Sequence, residues 1–201
     1  MLEFDEAKHL YTWSGKPVPS VTQVLAVLGG YEGIPAEILR RAAERGTAVH
    51  RATEDYDKGT LNWGEVSDEV YGYLSAWQEF RDRVKPEILE IEGRDYHEKL
   101  GYAGTRDRIM ILSGKLSVVD LKSSWKLMPA TGPQTAAYAE QWNARNKDKI
   151  KKRYGLRLAA DGKYELSEYK DAHDLNTFLS CLNVTKWKMK HHNYNPMEKT
   201  I

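Results

Sequence analysis

Residues Tyr102–Lys122 read YAGTRDRIMILSGKLSVVDLK. Two apolar runs, Tyr102 to Leu112 and Leu116 to Leu121, flank Ser113-Gly114, a short turn sequence that predicts a β-hairpin. Side chains alternate along a strand, so Asp120 and Lys122 are expected on one face and Leu121 on the other. On the partner strand, alternation places Asp107 with Thr105, Ile109 and Ile111, and antiparallel pairing would bring Asp107 toward Asp120. Two close carboxylates repel each other unless a cation lies between them. Their oxygens suit a hard divalent ion such as Mg2+ or Mn2+, and Lys122 beside it could orient an attacking water or help deprotonate it. That combination points to phosphodiester hydrolysis.

An acid-x-Lys tripeptide is common, and on its own it reads first as a solvated ion pair. Glu6-Ala-Lys8, Asp161-Gly-Lys163 and Glu168-Tyr-Lys170 share the pattern. What distinguishes Asp120-Leu-Lys122 is its context: it ends an apolar strand, follows a Gly-x-x-Asp partner strand, and precedes a helix carrying Gln134-x-x-x-Tyr138.

Working outward, Ile88 to Tyr96 reads as a first strand before the hairpin, giving a three-strand meander. Pro133 opens a helix through Asn146 whose alanines permit close packing on the sheet. Arg153 to Leu158 and Tyr164 to Tyr169 form a second hairpin around Asp161-Gly162, and His173 to Met189 forms a closing helix. Before the meander, His9 to Trp13 with Ser14-Gly15 suggests a hairpin arm, and Ser20-Val-Thr-Gln23 a capping box whose helix ends at Gly29-Gly30. Helices are expected from Pro35 at a first helical position to Lys58, with a break at Gly46, and from Ser67 to Val84. The fold class is therefore α/β, a central mixed sheet flanked by helices. The expectation is one domain over 1–201: an arm and helices over 1–60 carrying His50, a sheet and helix over 86–170, and a closing helix and tail over 171–201.

The 201 residues include 41% hydrophobic and 29% charged residues, the balance of a globular chain rather than a disordered one. Thirty Lys plus Arg against 29 Asp plus Glu leaves a charge of +1, so any polyanion must be held by a local patch. The longest aliphatic run, Val24 to Leu28, is far below the ~20 apolar residues of a spanning helix. No basic signal region is read at the start, and a single cysteine, Cys181, excludes an internal disulfide and any multi-cysteine metal site. The chain is expected to be intracellular, without membrane partners.

Gly46-Thr-Ala-Val-His50, Glu92, Gly104-Thr-Arg-Asp107, Asp120-Leu-Lys122 and Gln134-Thr-Ala-Ala-Tyr138 occur in an order that resembles the PD-(D/E)XK nuclease superfamily. The resemblance covers Gly46 to Tyr138 and is to the RecB-like exonuclease branch, which includes phage-encoded exonucleases and the mitochondrial genome maintenance exonuclease. It implies a restriction-endonuclease-like core and a metal-dependent DNA exonuclease, of phage or cell, serving DNA recombination, repair or processing. It further implies Asp107 and Asp120 as metal ligands, His50 as an additional ligand, and the Leu121 carbonyl as another. Lys122 would be the water-activating lysine, and Gln134 and Tyr138 would support the site or the DNA. Whether Glu92 or a water completes the metal shell stays open. Other members of the branch hold an iron–sulfur cluster on four cysteines. This chain has Cys181 alone, so no cluster is expected, and no phosphate-binding Gly-x-x-x-x-Gly-Lys loop for a nucleotide cofactor is found.

The expected substrate is DNA, single-stranded or with a free end, with a recombination protein as a candidate partner. Oligomeric state, polarity and preference for DNA over RNA are left open. A structure-specific or restriction-like endonuclease would use the same Asp107, Asp120 and Lys122, and a non-catalytic DNA-binding module is the further alternative. Lys147, Lys149, Lys151, Lys152 and Arg153 form the most basic run and are candidate phosphate contacts, although such runs are usually solvated surface. Lys186, Lys188 and Lys190 form a second. Six Trp and 12 Tyr offer rings for stacking on unpaired bases, most of them expected in the core.

Overall fold

The computed structural model describes residues 1–30 and 32–198; Tyr31 and the end of the tail, 199–201, lie outside the described residues. The chain opens with three short strands, β1 (Leu2–Asp5), β2 (Leu10–Trp13) and β3 (Lys16–Val18), in one antiparallel sheet. The hairpin expected around Ser14-Gly15 is β2–β3, where both turn residues take the positive φ that such a turn demands (50° and 74°). β1 was not expected. It has only Leu2 and Phe4 to bury, and they pack against the cluster of Tyr11, Val18 and Tyr96.

α1 (Val21–Leu25) starts at the capping box: Gln23 N donates to Ser20 Oγ at 3.2 Å and Ser20 N to Gln23 Oε1 at 2.9 Å. α2 (Ala36–Lys58) is continuous through Gly46, so the expected break is absent, and Pro35 is its N-cap rather than its first helical residue. At Gly46 a Cβ would come within 3.8 Å of Ser123 Oγ, so the glycine lies beside the segment after β6 rather than at a kink. Gly59, at φ 70°, ends the helix. α3 (Asp68–Val84) follows.

The main sheet has the order β4 (Glu87–His97), β5 (Tyr102–Leu112), β6 (Lys115–Lys122), β7 (Lys152–Leu158), β8 (Tyr164–Glu168). β4, β5 and β6 form the antiparallel meander read from the sequence. α4 (Thr131–Arg145) then crosses over, so β7 joins β6 in parallel and β8 returns antiparallel. α5 (Asp174–His191) follows, and a 3-10 turn at Pro196–Glu198 ends the described chain.

The sheet buries both faces. On one, Ile109 and Val118 meet α1, α4 and α5 through Val21, Ala137, Tyr138, Phe178 and Leu182. On the other, Met110, Val119, Leu121 and Leu156 meet α2 and α3 through Val49, Leu74, Trp77 and Phe80. This mixed sheet between helices is the expected fold class. No helix among the described residues is long and apolar enough to cross a membrane.

Candidate active site

The site forms where β5 and β6 part. Their antiparallel ladder ends at Arg108 opposite Val119, and one step further stand Asp107 and Asp120. In place of a ladder bond, Asp107 Oδ2 accepts from the Leu121 amide at 2.6 Å. Simple alternation fails at this point. Thr105 touches Tyr11 and Arg108 turns toward Trp77 of α3, whereas Arg106 lies against Trp142 of α4 and Ile109 packs in the same layer. Thr105 and Ile109 therefore do not share a face, because the pleat slips by one residue at Asp107.

α2 brings His50 to the gap. Val49 and Ala52 are buried in the layer that holds Leu121, which leaves His50 at the edge of the packed stripe with its side chain 28% exposed. Its Nε2 is 3.2 Å from the Leu121 carbonyl oxygen, and its Nδ1 is 3.4 Å from Glu92 Oε1 and 3.5 Å from Asp107 Oδ1. Glu92 stands in β4 between Ile91, which pairs with Arg108, and Gly93, which pairs with Arg106. Plain alternation along β4 would put it on one face with Ile88 and Glu90. A register shift between Ile88 and Glu90 breaks that pattern, sending Glu90 to Arg106 while Glu92, at φ 49°, turns to His50 and Arg108. A non-glycine residue at positive φ costs about 1–2 kcal/mol, so the surrounding structure holds Glu92 there against its own preference.

Asp120 and Lys122 do share a face. Asp120 is 1% exposed, and its Oδ2 lies 2.8 Å from Lys122 Nζ. Its Oδ1 is buried with no hydrogen-bond donor among the described residues. Gln134 and Tyr138 of α4 are buried, the Gln134 amide donating to the Tyr138 hydroxyl at 3.3 Å. Tyr138 can seat there because β5 has a glycine opposite it: a Cβ on Gly104 would lie 2.8 Å from the phenol ring.

The electrostatics are those of crowded acids. Burial pushes the Asp120 carboxyl up to about 6, against the pull of Lys122 and with the help of Asp107. Burial also raises Asp107, with Glu92 adding to the rise and His50 opposing it. For His50, burial favours the neutral ring, but Asp107 and Glu92 outweigh it and carry the imidazole up to about 9. The Tyr138 hydroxyl is raised well above its ordinary value by burial and by Asp120 and Asp107. Each of these shifts favours added positive charge among the acids.

Ligand atoms of His50, Glu92 and Asp107 lie within 4.8 Å of one another. One imidazole nitrogen, Nδ1, and two carboxylates, with the unpaired Oδ1 of Asp120 on the adjoining strand and the Leu121 carbonyl on the Nε2 side of the ring, offer donors of the kind that hard divalent ions take.

Two neighbours escaped the sequence reading. Arg108 is fully buried beneath the site: Nε donates to Asp57 Oδ2 at 2.9 Å, and the terminal nitrogens donate to the Asp107 carbonyl at 2.7 Å, Thr53 Oγ1 at 3.2 Å and Glu92 Oε1 at 3.4 Å. Thr53 in turn donates to the His50 carbonyl at 2.8 Å. Arg108 therefore braces the segments carrying three candidate ligands. The available signal was on α2, where His50, Thr53 and Asp57 recur at core spacing among Val49, Ala52 and Tyr56. Tyr11 is the second neighbour, its hydroxyl 2.5 Å from Thr105 Oγ1. The N-terminal arm thus reaches the strand that bears Asp107.

The basic run is not brought to the acids. In the parallel register Lys152 stands opposite Ser117 and Arg153 opposite Val118, whereas Gly155 and Arg157 stand opposite Asp120 and Lys122, so Lys147 to Lys151 precede the ladder and Lys152 and Arg153 open it. Lys152 pairs with Glu168, Arg153 with Asp174 at 2.9 Å, and Lys149 donates to the Asn146 carbonyl at 2.8 Å. The strand direction, which the run itself could not disclose, sets this distance.

No protein-family model matches the chain, and no curated protein matches it. Solved structures do. A "Putative exonuclease" from Eubacterium rectale has a TM-score of 0.53 at 13% identity, over 89% of this chain and 83% of that one. An alkaline exonuclease from Laribacter hongkongensis (LHK-Exo) has a TM-score of 0.40 at 14% identity, over 87% and 92%. Its complex with dAMP gives 0.42 at 15%, over 88% and 94%. The chain has the restriction-endonuclease-like fold, the core architecture of PD-(D/E)XK nucleases. At 13% identity the likeness to the first of these speaks for the fold alone.

Proposed function

We propose that the protein is a divalent-metal-dependent DNA exonuclease that hydrolyses phosphodiester bonds at DNA ends or in single strands, in recombination, repair or processing of phage or cellular DNA. The observation that carries this reading is the cluster of His50, Glu92 and Asp107, with Nδ1 of His50 turned to the two carboxylates, beside the buried Asp120–Lys122 pair. His50, Asp107, Asp120 and the Leu121 carbonyl would hold the cation, and the position of Glu92 beside His50 and Asp107 favours it as a further ligand. When bound, Mg2+ or Mn2+ supplies Lewis acidity at the scissile phosphate.

The chain's own groups do the rest. Asp107 and Asp120 would hold the cation as carboxylate ligands, and Lys122, paired with Asp120, would orient the attacking water and take part in its deprotonation. Gln134 and Tyr138 wall the site from the α4 side, the phenol staying protonated so that it can donate to a phosphate oxygen. Arg108 holds the backbone of Asp107 and, through Thr53, that of His50.

Digestion of end-labelled linear DNA and of covalently closed relaxed circles, with Mg2+, Mn2+ or EDTA, tests the reading. Linear DNA should be degraded with either metal and spared in EDTA, and closed circles should survive. Rapid linearisation of the circles would replace the exonuclease reading with an endonuclease.

A further inference from the structure

β6 runs directly into residues 123–130, the segment that leads to α4. Within it Trp125 is 80% exposed, the most exposed tryptophan among the described residues. A soluble protein rarely leaves an indole so open unless something covers it in use.

Both feet of the loop stand at the site. One is Lys122. The other is Leu127, which lies over Gly155: a Cβ there would meet Leu127 Cδ2 at 3.1 Å, Thr131 Cγ2 at 3.1 Å and the Tyr169 ring at 3.0 Å. Gly155 is the residue that pairs with Asp120 in the β6–β7 ladder, one strand spacing of about 4.8 Å away. Trp125 is three residues from Lys122, so it cannot stand further than roughly 11 Å along the chain from it.

The indole is also held in place. Ser124 Oγ donates to the Lys126 carbonyl at 2.6 Å, closing a turn around Trp125, and Lys126 Nζ lies 4.5 Å from the indole ring centroid. The ammonium therefore lies over one face of the indole, and the loop, rooted at Lys122, leaves the other face open to solvent. An aromatic nucleobase fits that face and the adjoining phosphate fits the ammonium. A base inside a continuous duplex already has both faces stacked, so only an unpaired base can use it.

We propose that Trp125 and Lys126 form a stacking site for an unpaired nucleobase of the DNA strand being cut, close to the scissile phosphate. The proposal rests on the nuclease reading and adds to it the feature of the strand that is recognised. Trp125 stacks on the base without reading its identity, and Lys126 contacts the backbone.

The test is binding of a fluorescently labelled single-stranded oligonucleotide in EDTA, where nothing is cut, followed by single-turnover cleavage with Mg2+. Trp125→Ala should weaken binding by roughly tenfold to a hundredfold, and Trp125→Phe should recover most of it. Oligonucleotides with one abasic nucleotide, moved along the strand, locate the base. At one position the missing base should cost wild type as much as Trp125→Ala does, and the variant should lose nothing more. Trp125→Ala binding every oligonucleotide as wild type does, or losing equally at all abasic positions, would overturn the stacking site. If wild type cuts DNA and a folded Trp125→Ala matches it, this proposal falls while the nuclease reading stands. If wild type neither binds nor cuts, both fall.

Discussion

Lys122 sits 2.8 Å from Asp120 Oδ2, close enough to share a water or phosphate oxygen with it. Replacing it with alanine should slow single-turnover cleavage by roughly 10²–10⁴-fold, the usual contribution of a positioned acid or base. One ammonium is a small share of the phosphate contacts, so oligonucleotide affinity should change little. A loss in binding as large as the loss in rate would reduce Lys122 to a phosphate contact. His50 and Asp120 give a second residue-scale expectation, in pH. His50 is raised from 6.5 to about 9, so the stability it contributes is complete below 6.5 and is lost as pH rises through 9. Asp120 is raised from 3.8 to about 6, so its protonated form is favoured in the fold, and that contribution is lost as pH rises through 6. Metal must displace these protons, and its stabilising effect should therefore grow with pH. Thermal melts from pH 5 to 9.5 in EDTA and in Mn2+ should show the gap between the two widening, with His50→Gln removing the slope between 6.5 and 9. A gap of constant size would count against ligation by these groups. At this scale the sequence disclosed which residues meet, Asp107, Asp120, Lys122 and His50, because ordered motifs carry that information. It hid the slip at Asp107 and the left-handed backbone of Glu92, since both arise from pairing with neighbouring strands rather than from local pattern.

Among the elements, Arg108 is the joint. It ties β5 to α2 through Asp57 and Thr53, and Asp57 also accepts from Trp77 Nε1 at 3.1 Å and pairs with Arg81, both on α3. Removing one partner of a buried pair strands the other, a loss of about 3–5 kcal/mol. Arg108→Ala should lower stability by that order in urea unfolding. Under conditions where it remains folded, it should bind Mn2+ more weakly by electron paramagnetic resonance, because Asp107, Glu92 and His50 lose their common brace. Unchanged stability and unchanged Mn2+ affinity would show the network to be incidental. The element boundaries were largely legible: the strands of the meander, the capping box and the alanine-rich crossover helix all stand within a few residues of where periodicity and turn chemistry put them. Gly46 misled because a single glycine lowers helix propensity by only about 1 kcal/mol, which the packing of the rest of α2 on the sheet outweighs.

The molecule as a whole gathers its acids where two strands part, with α2 on one side of the sheet and α4 on the other. The placement of the basic run illustrates what composition withholds. Lys147 to Arg153 stand in the sequence as candidate phosphate contacts; the parallel crossover sets Lys152 and Arg153 beside Ser117 and Val118, where Lys152 pairs with Glu168 and Arg153 with Asp174, and contact of the run with DNA stays a proposal. The central claim is that Asp107 and Asp120 hold a catalytic cation, and it is tested most directly by cleavage of end-labelled linear DNA with Mg2+ or Mn2+ by wild type, Asp107→Asn and Asp120→Asn, each shown to be folded by circular dichroism. An amide is a weaker ligand for a hard cation than a carboxylate, so each variant should lose cleavage by orders of magnitude while wild type is active with metal and silent in EDTA. Wild-type rates in both folded variants at saturating metal, or cleavage by wild type that persists in EDTA, would contradict the account.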